Sequence, residues 1–257
     1  MRCAATVLCV LLLPAPPASA RVEQALPTWR PDIRPAVRYA DQRAGDVRFA
    51  IVDEGGRMRG HAISVASPMA SVFKVMLLVT YLRRASVRNR DLRGADRALL
   101  APMIRRSDNA TATRIRNLVG AEAINRLARD AEMRDFHLHS TWGLSRTSPR
   151  DHAPFMFELE RYIPSRHEGY ARRLLSSVVK GQRWGIPKAA PPGWDVYFKG
   201  GWGSGTGRVT HQVAFLESGE RRIALAIFSE NSPSHVYGTT TVRGVAARLL
   251  QRLGAGA

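Results

Sequence analysis

The sequence predicts an α+β fold: an antiparallel sheet built from both chain ends and flanked by helices, with an all-helical lobe over about residues 70–180 inserted between its halves. Three observations point there. Residues 47–65 alternate apolar and polar around Gly55-Gly56, the pattern of two half-buried strands and a turn. From Pro68 to about residue 179 the pattern is helical, broken only by short polar interruptions. The C-terminal third returns to strands, VYFKGGWG, RVTHQVAFLE and RRIALAIFSE, the last two joined at Ser218-Gly219, before a closing helix over 240–253. Strands at both ends with helices between assemble most simply as one sheet carrying a helical insertion, and the cleft between the lobes is the natural place for a site.

In chain order, residues 1–20 run Arg2, an apolar stretch, prolines and then Ala18-Ser19-Ala20, the order of a secretory signal peptide cleaved after Ala20. The apolar stretch ends at Pro14, well short of the ~20 residues that a membrane span requires. The expected location is therefore secreted, or the periplasmic or cell-wall space. Cys3 and Cys9, the two cysteines of the chain, both fall in this segment, so the mature protein is expected to have no thiol, disulfide or cysteine metal ligand. Cys9 could be a lipidation site, but Leu8 before it is bulkier than the small residue such sites favour. Residues 21–34 read as a linker and 35–257 as the domain, entered by a strand at VRYADQ. MASVFKVMLLVTYLRR is one continuous apolar helix, too apolar for a surface position. Arginine-rich helices over about 91–130 follow, then a loop over 137–150, then helices near 151–161 and 168–179.

The formal charge of the 257 residues is +18, one less once Arg2 leaves with the signal peptide. Such an excess suits nucleic acid or an anionic surface. Export, the even spread of the charge and the lack of an aromatic-rich nucleic-acid motif argue against nucleic acid. Two readings stay open: a solvated arginine surface set by genome composition, or attraction to an anionic cell wall. The expectation is a monomer with no cofactor. Only four basic residues are lysine, Lys74, Lys180, Lys188 and Lys199, which singles each of them out.

Three short motifs carry chemistry. Ser71-Val72-Phe73-Lys74 puts two side chains on one helix face. Ser71 sits at the helix start, where free N–H groups and the helix dipole favour a developing oxyanion. Lys74 lies inside the apolar helix, where desolvation lowers an amine pKa, by up to ~3–5 units when burial is complete, so that it can take the serine proton. Ser177-Val178-Val179-Lys180 fits the same spacing but ends an amphipathic helix, so its serine has no helix start and its lysine faces solvent. Ser107-Asp108-Asn109 reads either as a helix N-cap or as a proton-relaying hydroxyl beside an amide donor. Lys199-Gly200-Gly201 ends a strand whose glycines permit close approach of another backbone or a substrate, or simply form a bulge. His137 and His139 form H-x-H, but no third ligand stands near, so alternation along a strand or loop edge explains them and no metal is expected.

S-x-x-K, then S-D-N, then K-x-G, in that order, resembles the signature of class A β-lactamases and penicillin-binding proteins, and the likeness covers about residue 35 to the end. The resemblance implies a β-lactamase/transpeptidase-like fold and a serine hydrolase in which Ser71 is acylated and Lys74 and Ser107 move protons. It implies that Asn109 and Lys199 bind substrate, and that the N–H groups of Ser71 and Trp202, just past Gly201, form the oxyanion hole. The substrate would be a β-lactam or a D-alanyl cell-wall peptide. Trp142, Trp184, Trp194 and Trp202 gather around the proposed cleft as core or rim, with Trp142 or Trp202 able to floor the pocket.

Two departures qualify the likeness. Gly200 stands where the family carries Ser or Thr, so a hydroxyl expected on the substrate carboxylate is missing; Ser204, Thr206, Arg208 and His211 are nearby substitutes. The stretch HLHSTWGLSRTSPRD contains no glutamate to activate the deacylating water, and Asp151 at its end reads as a helix N-cap. Slow release of the acyl group is therefore expected. The nearby alternatives are a D-alanyl-D-alanine carboxypeptidase and a non-catalytic binder of cell-wall peptides; a basic adhesion or nucleic-acid protein is more distant.

Overall fold

The computed structural model describes residues 29–203 and 208–253. The expected signal peptide, most of the linker, and Ser204 and Thr206 lie outside the described residues.

The segment expected as an entering strand is a helix, α1 (Arg34–Asp41). Pro35 suits its first turn, and Ala36 and Ala40, four apart, bury one stripe of it. Over six residues, strand alternation and helical spacing are both satisfied by VRYADQ. Packing on the last helix decides: Tyr39 fills the space that a side chain at Gly244 would need.

Next come strands β1 (Asp46–Val52) and β2 (Met58–His61), and a two-residue β3 (Ser67–Pro68). The helical lobe holds α2 (Phe73–Leu82), α3 (Gly94–Arg105) and α4 (Asn109–Asp130), the last bent at Gly120. The short β4 (Arg146–Thr147) pairs with β3. Helices α5 (Pro149–Phe157) and α6 (Ser165–Ser176) complete the lobe, followed by β5 (Asp195–Gly203), β6 (Val209–Ser218), β7 (Arg221–Glu230) and α7 (His235–Leu249). The main sheet runs β2-β1-β7-β6-β5, with all pairings antiparallel. The two chain ends meet where Phe49 pairs with Ile227, so the sheet is built from both ends, as the sequence indicates.

Both faces of that sheet are buried. Phe49, Ile51, Leu225 and Ile227 pack with α1 and α7 on one side; Ala50, Val52, Ala226 and Phe228 pack toward the helical lobe on the other. This two-residue alternation makes a three-layer structure. All ten residues of α2 are buried, which accounts for its uninterrupted apolar run. No helix of the described residues is long and apolar enough to cross a membrane. β5 is an edge strand, and it lies directly beside the turn that leads into α2.

Candidate active site

Ser71 lies in a 3₁₀ turn (Ala70–Val72) that runs into α2. The turn is fixed from outside. Met69 N donates to Ser145 O (2.7 Å), and the β3–β4 ribbon stands immediately before it. Ala70 takes φ +45°, a left-handed conformation that costs a non-glycine residue of order 1–3 kcal/mol and is held only by surrounding structure. Ser71 is buried to within a small opening (9% exposed), so whatever reaches it does so through the cleft.

Lys74 is the one charged residue of α2 and is fully buried. Its Nζ donates to Ser107 O (2.5 Å), Ser107 Oγ (3.2 Å) and Asn109 Oδ1 (2.7 Å). Burial pushes the amine down to about 7, with the charge of Asp108 opposing part of that fall. The Trp142 ring lies 5.0 Å from Nζ, stacks on Phe73 and donates from Nε1 to Thr113 Oγ1 (3.0 Å). It walls the amine from water.

Ser107, Asp108 and Asn109 divide two roles between them. Asp108 is the N-cap of α4, its carboxylate accepting from Thr111 N (2.7 Å), so the capping reading of the motif holds for this residue. Ser107 takes φ +60° in the tight passage from α3 to α4, which turns both its carbonyl and its hydroxyl to Lys74. Asn109 opens α4, and with its Oδ1 occupied by Lys74 its amide NH₂ is left as a donor.

Lys199 arrives from β5. Its Nζ donates to Ser107 Oγ (3.0 Å) and to Gly200 O (2.6 Å). Complete burial pushes it well below its usual value, and the nearby charge of Lys74 adds to the fall. One hydroxyl, Ser107 Oγ, thus accepts from two buried amines and keeps its own proton to donate elsewhere. The Lys199 amine is enclosed, and the side-chain group it reaches is the Ser107 hydroxyl.

The glycines that follow are crowded by the protein itself. A Cβ on Gly201 would lie 2.7 Å from Val72 N and 2.8 Å from Ser71 N, so a hydrogen there is what lets β5 reach the Ser71 turn. A Cβ on Gly200 would lie 2.9 Å from Trp184 Cζ2. The close approach expected at these glycines is therefore made by the Ser71 turn and by an indole. Trp184 and His235 form an aromatic cluster with Trp202 (ring centroids 5.6–6.1 Å apart) that the sequence did not single out as a unit. The glycine in place of a hydroxyl residue was its one trace.

Among the described residues no carboxylate bonds to Lys74, Ser107 or Lys199. Asp151 is not the N-cap of α5; Ser148 is, accepting from Asp151 N. The Asp151 carboxylate accepts from Arg134 N (3.0 Å) and Asp135 N (2.9 Å), and burial raises its pKa, so it is committed to holding the loop. Of the proposed stand-ins at Gly200, His211 is fully buried against Phe228 (4.4 Å between centroids), while Arg208 is exposed at a cavity rim. His137 and His139 are exposed, with His139 Nδ1 accepting from Thr141 N (3.0 Å). Ser177 and Lys180 are exposed beyond α6. Trp194 belongs to the core layer under α7.

The profile of the β-lactamase enzyme family matches residues 96–253, more than half of the chain, and the chain belongs to that family. Its fold is similar to a β-lactamase from Sphaerobacter thermophilus, with a TM-score of 0.76 and 22% identity over 87% of this chain and 97% of that one. It is similar also to PBP-A (TM-score 0.72, 17% identity, 90% and 100% covered), a variant of which is solved as an acyl-enzyme complex with penicillin G. An ancestral class A β-lactamase gives a TM-score of 0.72 at 17% identity over 84% and 97%. At these identities the likeness is one of fold. No curated protein sequence matches the chain.

Proposed function

We propose that this chain is an exported active-site-serine hydrolase that takes β-lactams or D-alanyl cell-wall peptides through an acyl-enzyme and releases the acyl group slowly. The observation that carries the reading is the Ser107 hydroxyl held between two buried amines, one of which, Lys74, follows Ser71 by three residues at the start of α2. With Lys74 near 7, a large share of the amine is neutral at neutral pH and can take the Ser71 proton as Oγ attacks the carbonyl carbon. The oxyanion is met by the N–H groups of Ser71 and Trp202, where removing one donor typically costs about 2.7–4 kcal/mol. As the C–N bond breaks, the Ser107 hydroxyl gives its proton to the leaving nitrogen and regains one from the Lys74 ammonium. The proton count closes: one leaves Ser71 and one arrives on the leaving group. Asn109 holds a substrate carbonyl through its NH₂.

Hydrolysis of the ester then needs an activated water. General-base help contributes roughly 10²–10⁴ in rate, and among the described residues the carboxylate that acts on Lys74, Asp108, is committed to capping α4 through Thr111. That commitment favours, as the second reading, a penicillin-binding D-alanyl carboxypeptidase over an efficient resistance enzyme. A pure binder has no use for a desolvated amine at a nucleophile. The test is the time course with a chromogenic cephalosporin. Expected is a burst of one equivalent followed by slow turnover, both lost in Ser71→Ala. Fast turnover without a burst would overturn slow release, and turnover retained in Ser71→Ala would overturn the nucleophile.

A further inference from the structure

Two of the chain's four lysines, Lys74 and Lys199, meet at the Ser107 hydroxyl. The other two, Lys180 and Lys188, line one cavity of about 470 Å³ together with Arg183 and Arg243. The cavity lies between the loop that precedes β5 and α7. Lys180 and Lys188 stand in two 3₁₀ turns of that loop (Lys180–Gln182 and Ile186–Lys188), and Arg243 comes from α7.

The loop is held in place from below. Gln212, fully buried on β6, donates from Nε2 to Trp184 O (2.9 Å) and accepts at Oε1 from Ile186 N (2.6 Å). Gly185 between them takes φ +64°, and a Cβ there would lie 2.4 Å from Gln212 Oε1 and 2.7 Å from Val242 Cγ1, so glycine is what lets the loop come this close to β6 and α7. Arg183 is fixed as well. Its Nη1 donates to Ser176 O (2.7 Å), and its guanidinium lies 5.3 Å from the centre of the Phe198 ring.

The cavity has no acidic counterpart on the protein. No Asp or Glu occurs in residues 169–194 or 231–257, the stretches that supply all of its walls. Elsewhere arginines find carboxylates, as Arg83 does in Asp130, Arg90 in Asp96 and Arg172 in Glu160. None of the four cations here has an ion pair among the described residues. Four like charges around one cavity repel each other, and an anion between them relieves that. Water weakens any single pair at this exposure, so a multivalent anion is favoured over a monovalent one. Two phosphate groups, at about −1.5 to −2 each near pH 7, match the four positive charges. Arginine forks take phosphate oxygens in pairs, and lysines add point charges. The volume falls within the roughly 300–1,000 Å³ of small-ligand pockets.

We propose that this cavity binds an anion carrying two phosphate groups, with Arg183 as its fixed anchor and Lys180, Lys188 and Arg243 closing on it. A soluble diphosphate and paired phosphate headgroups at a lipid surface offer the same chemistry. The site does not depend on Ser71, so it stands or falls apart from the acyl-enzyme reading.

The test is calorimetric titration of the full chain with inorganic pyrophosphate at low salt. One equivalent should bind, with affinity lowered about tenfold or more in the Lys188→Gln/Arg243→Gln variant. The Arg84→Gln/Arg126→Gln variant removes the same charge from a different arginine cluster and should change affinity less than twofold. Both pairs are surface substitutions, and the melting temperature of each variant without ligand checks that it folds. Absence of saturable binding, or equal losses in the two variants, overturns the site and reduces it to diffuse attraction. Flotation with phosphatidylcholine vesicles, with and without phosphatidic acid, separates the sources. Capture by the phosphatidic acid vesicles that pyrophosphate reverses and Lys188→Gln/Arg243→Gln loses assigns the phosphates to a lipid; pyrophosphate binding without such capture assigns them to a soluble compound.

Discussion

Gly201→Ala tests how the two lobes share the proposed oxyanion site. The added methyl would stand 2.7 Å from Val72 N and 2.8 Å from Ser71 N, against 3.4 Å for ordinary contact, so turn and strand must separate by about 0.6–0.7 Å. The contact is backbone against backbone, and the turn is tied to Ser145 through Met69 N, so no flexible side chain can give way instead. Overpacking of this kind costs ~1–3 kcal/mol of stability. Displacing one donor from a developing oxyanion costs about 2.7–4 kcal/mol, a factor of 10²–10³ in rate. The assay is the rate constant for Ser71 acylation, measured well below the variant's melting temperature with the folded fraction checked by circular dichroism. A loss of roughly 10²-fold or more is expected. Acylation within about threefold of the parent in a folded variant would refute the placement of the β5 edge as part of the oxyanion site.

Three further outcomes follow from the same geometry. Acylation should rise about tenfold per pH unit below a midpoint near 7 and level off above it, because only neutral Lys74 can accept the serine proton; a profile flat from about pH 5 to 9 would remove Lys74 as base. His152 and His211, both buried against Phe228, are held down to about 3 by desolvation. Their folded pKa lies below the unfolded 6.5, so their contribution is full above pH 6.5 and is lost as pH falls toward 3; urea unfolding should lose up to about 2.7 kcal/mol per ring by about pH 4.5, less in His152→Leu, and equal stability at both pH values would contradict it. Gly200→Ser should lower the melting temperature, since its Cβ meets Trp184 at 2.9 Å, and Trp184→Ala in the same chain should relieve that clash; additive losses in the double variant would mean that the two positions do not touch.

What the sequence made legible follows from range. Ser71 and Lys74 were found because a helix turn fixes their separation, and Asp108 because a cap has a local partner three residues on. Order along the chain singled out Lys199 as a site residue, but not its bond to the Ser107 hydroxyl, from which 92 residues separate it. Trp184 and His235 were not legible as a unit, because the one lies on a loop before β5 and the other opens α7, and no spacing rule links either to Gly200. The entering segment was misread because six residues satisfy both periods, and only Tyr39 against Gly244 separates them. Ser148 rather than Asp151 caps α5 because the cap comes one residue before the helix-starting proline, a detail of boundary that pattern alone blurs.

The central claim is that Ser71 is a nucleophile whose acyl-enzyme forms readily and breaks down slowly. Intact mass of the mature protein over time in excess penicillin G, with Ser71→Ala alongside, tests it most directly. The expected result is a persistent adduct of one penicillin on the parent protein and none on the variant. An unmodified mass at all times with the penicillin left intact would contradict the claim.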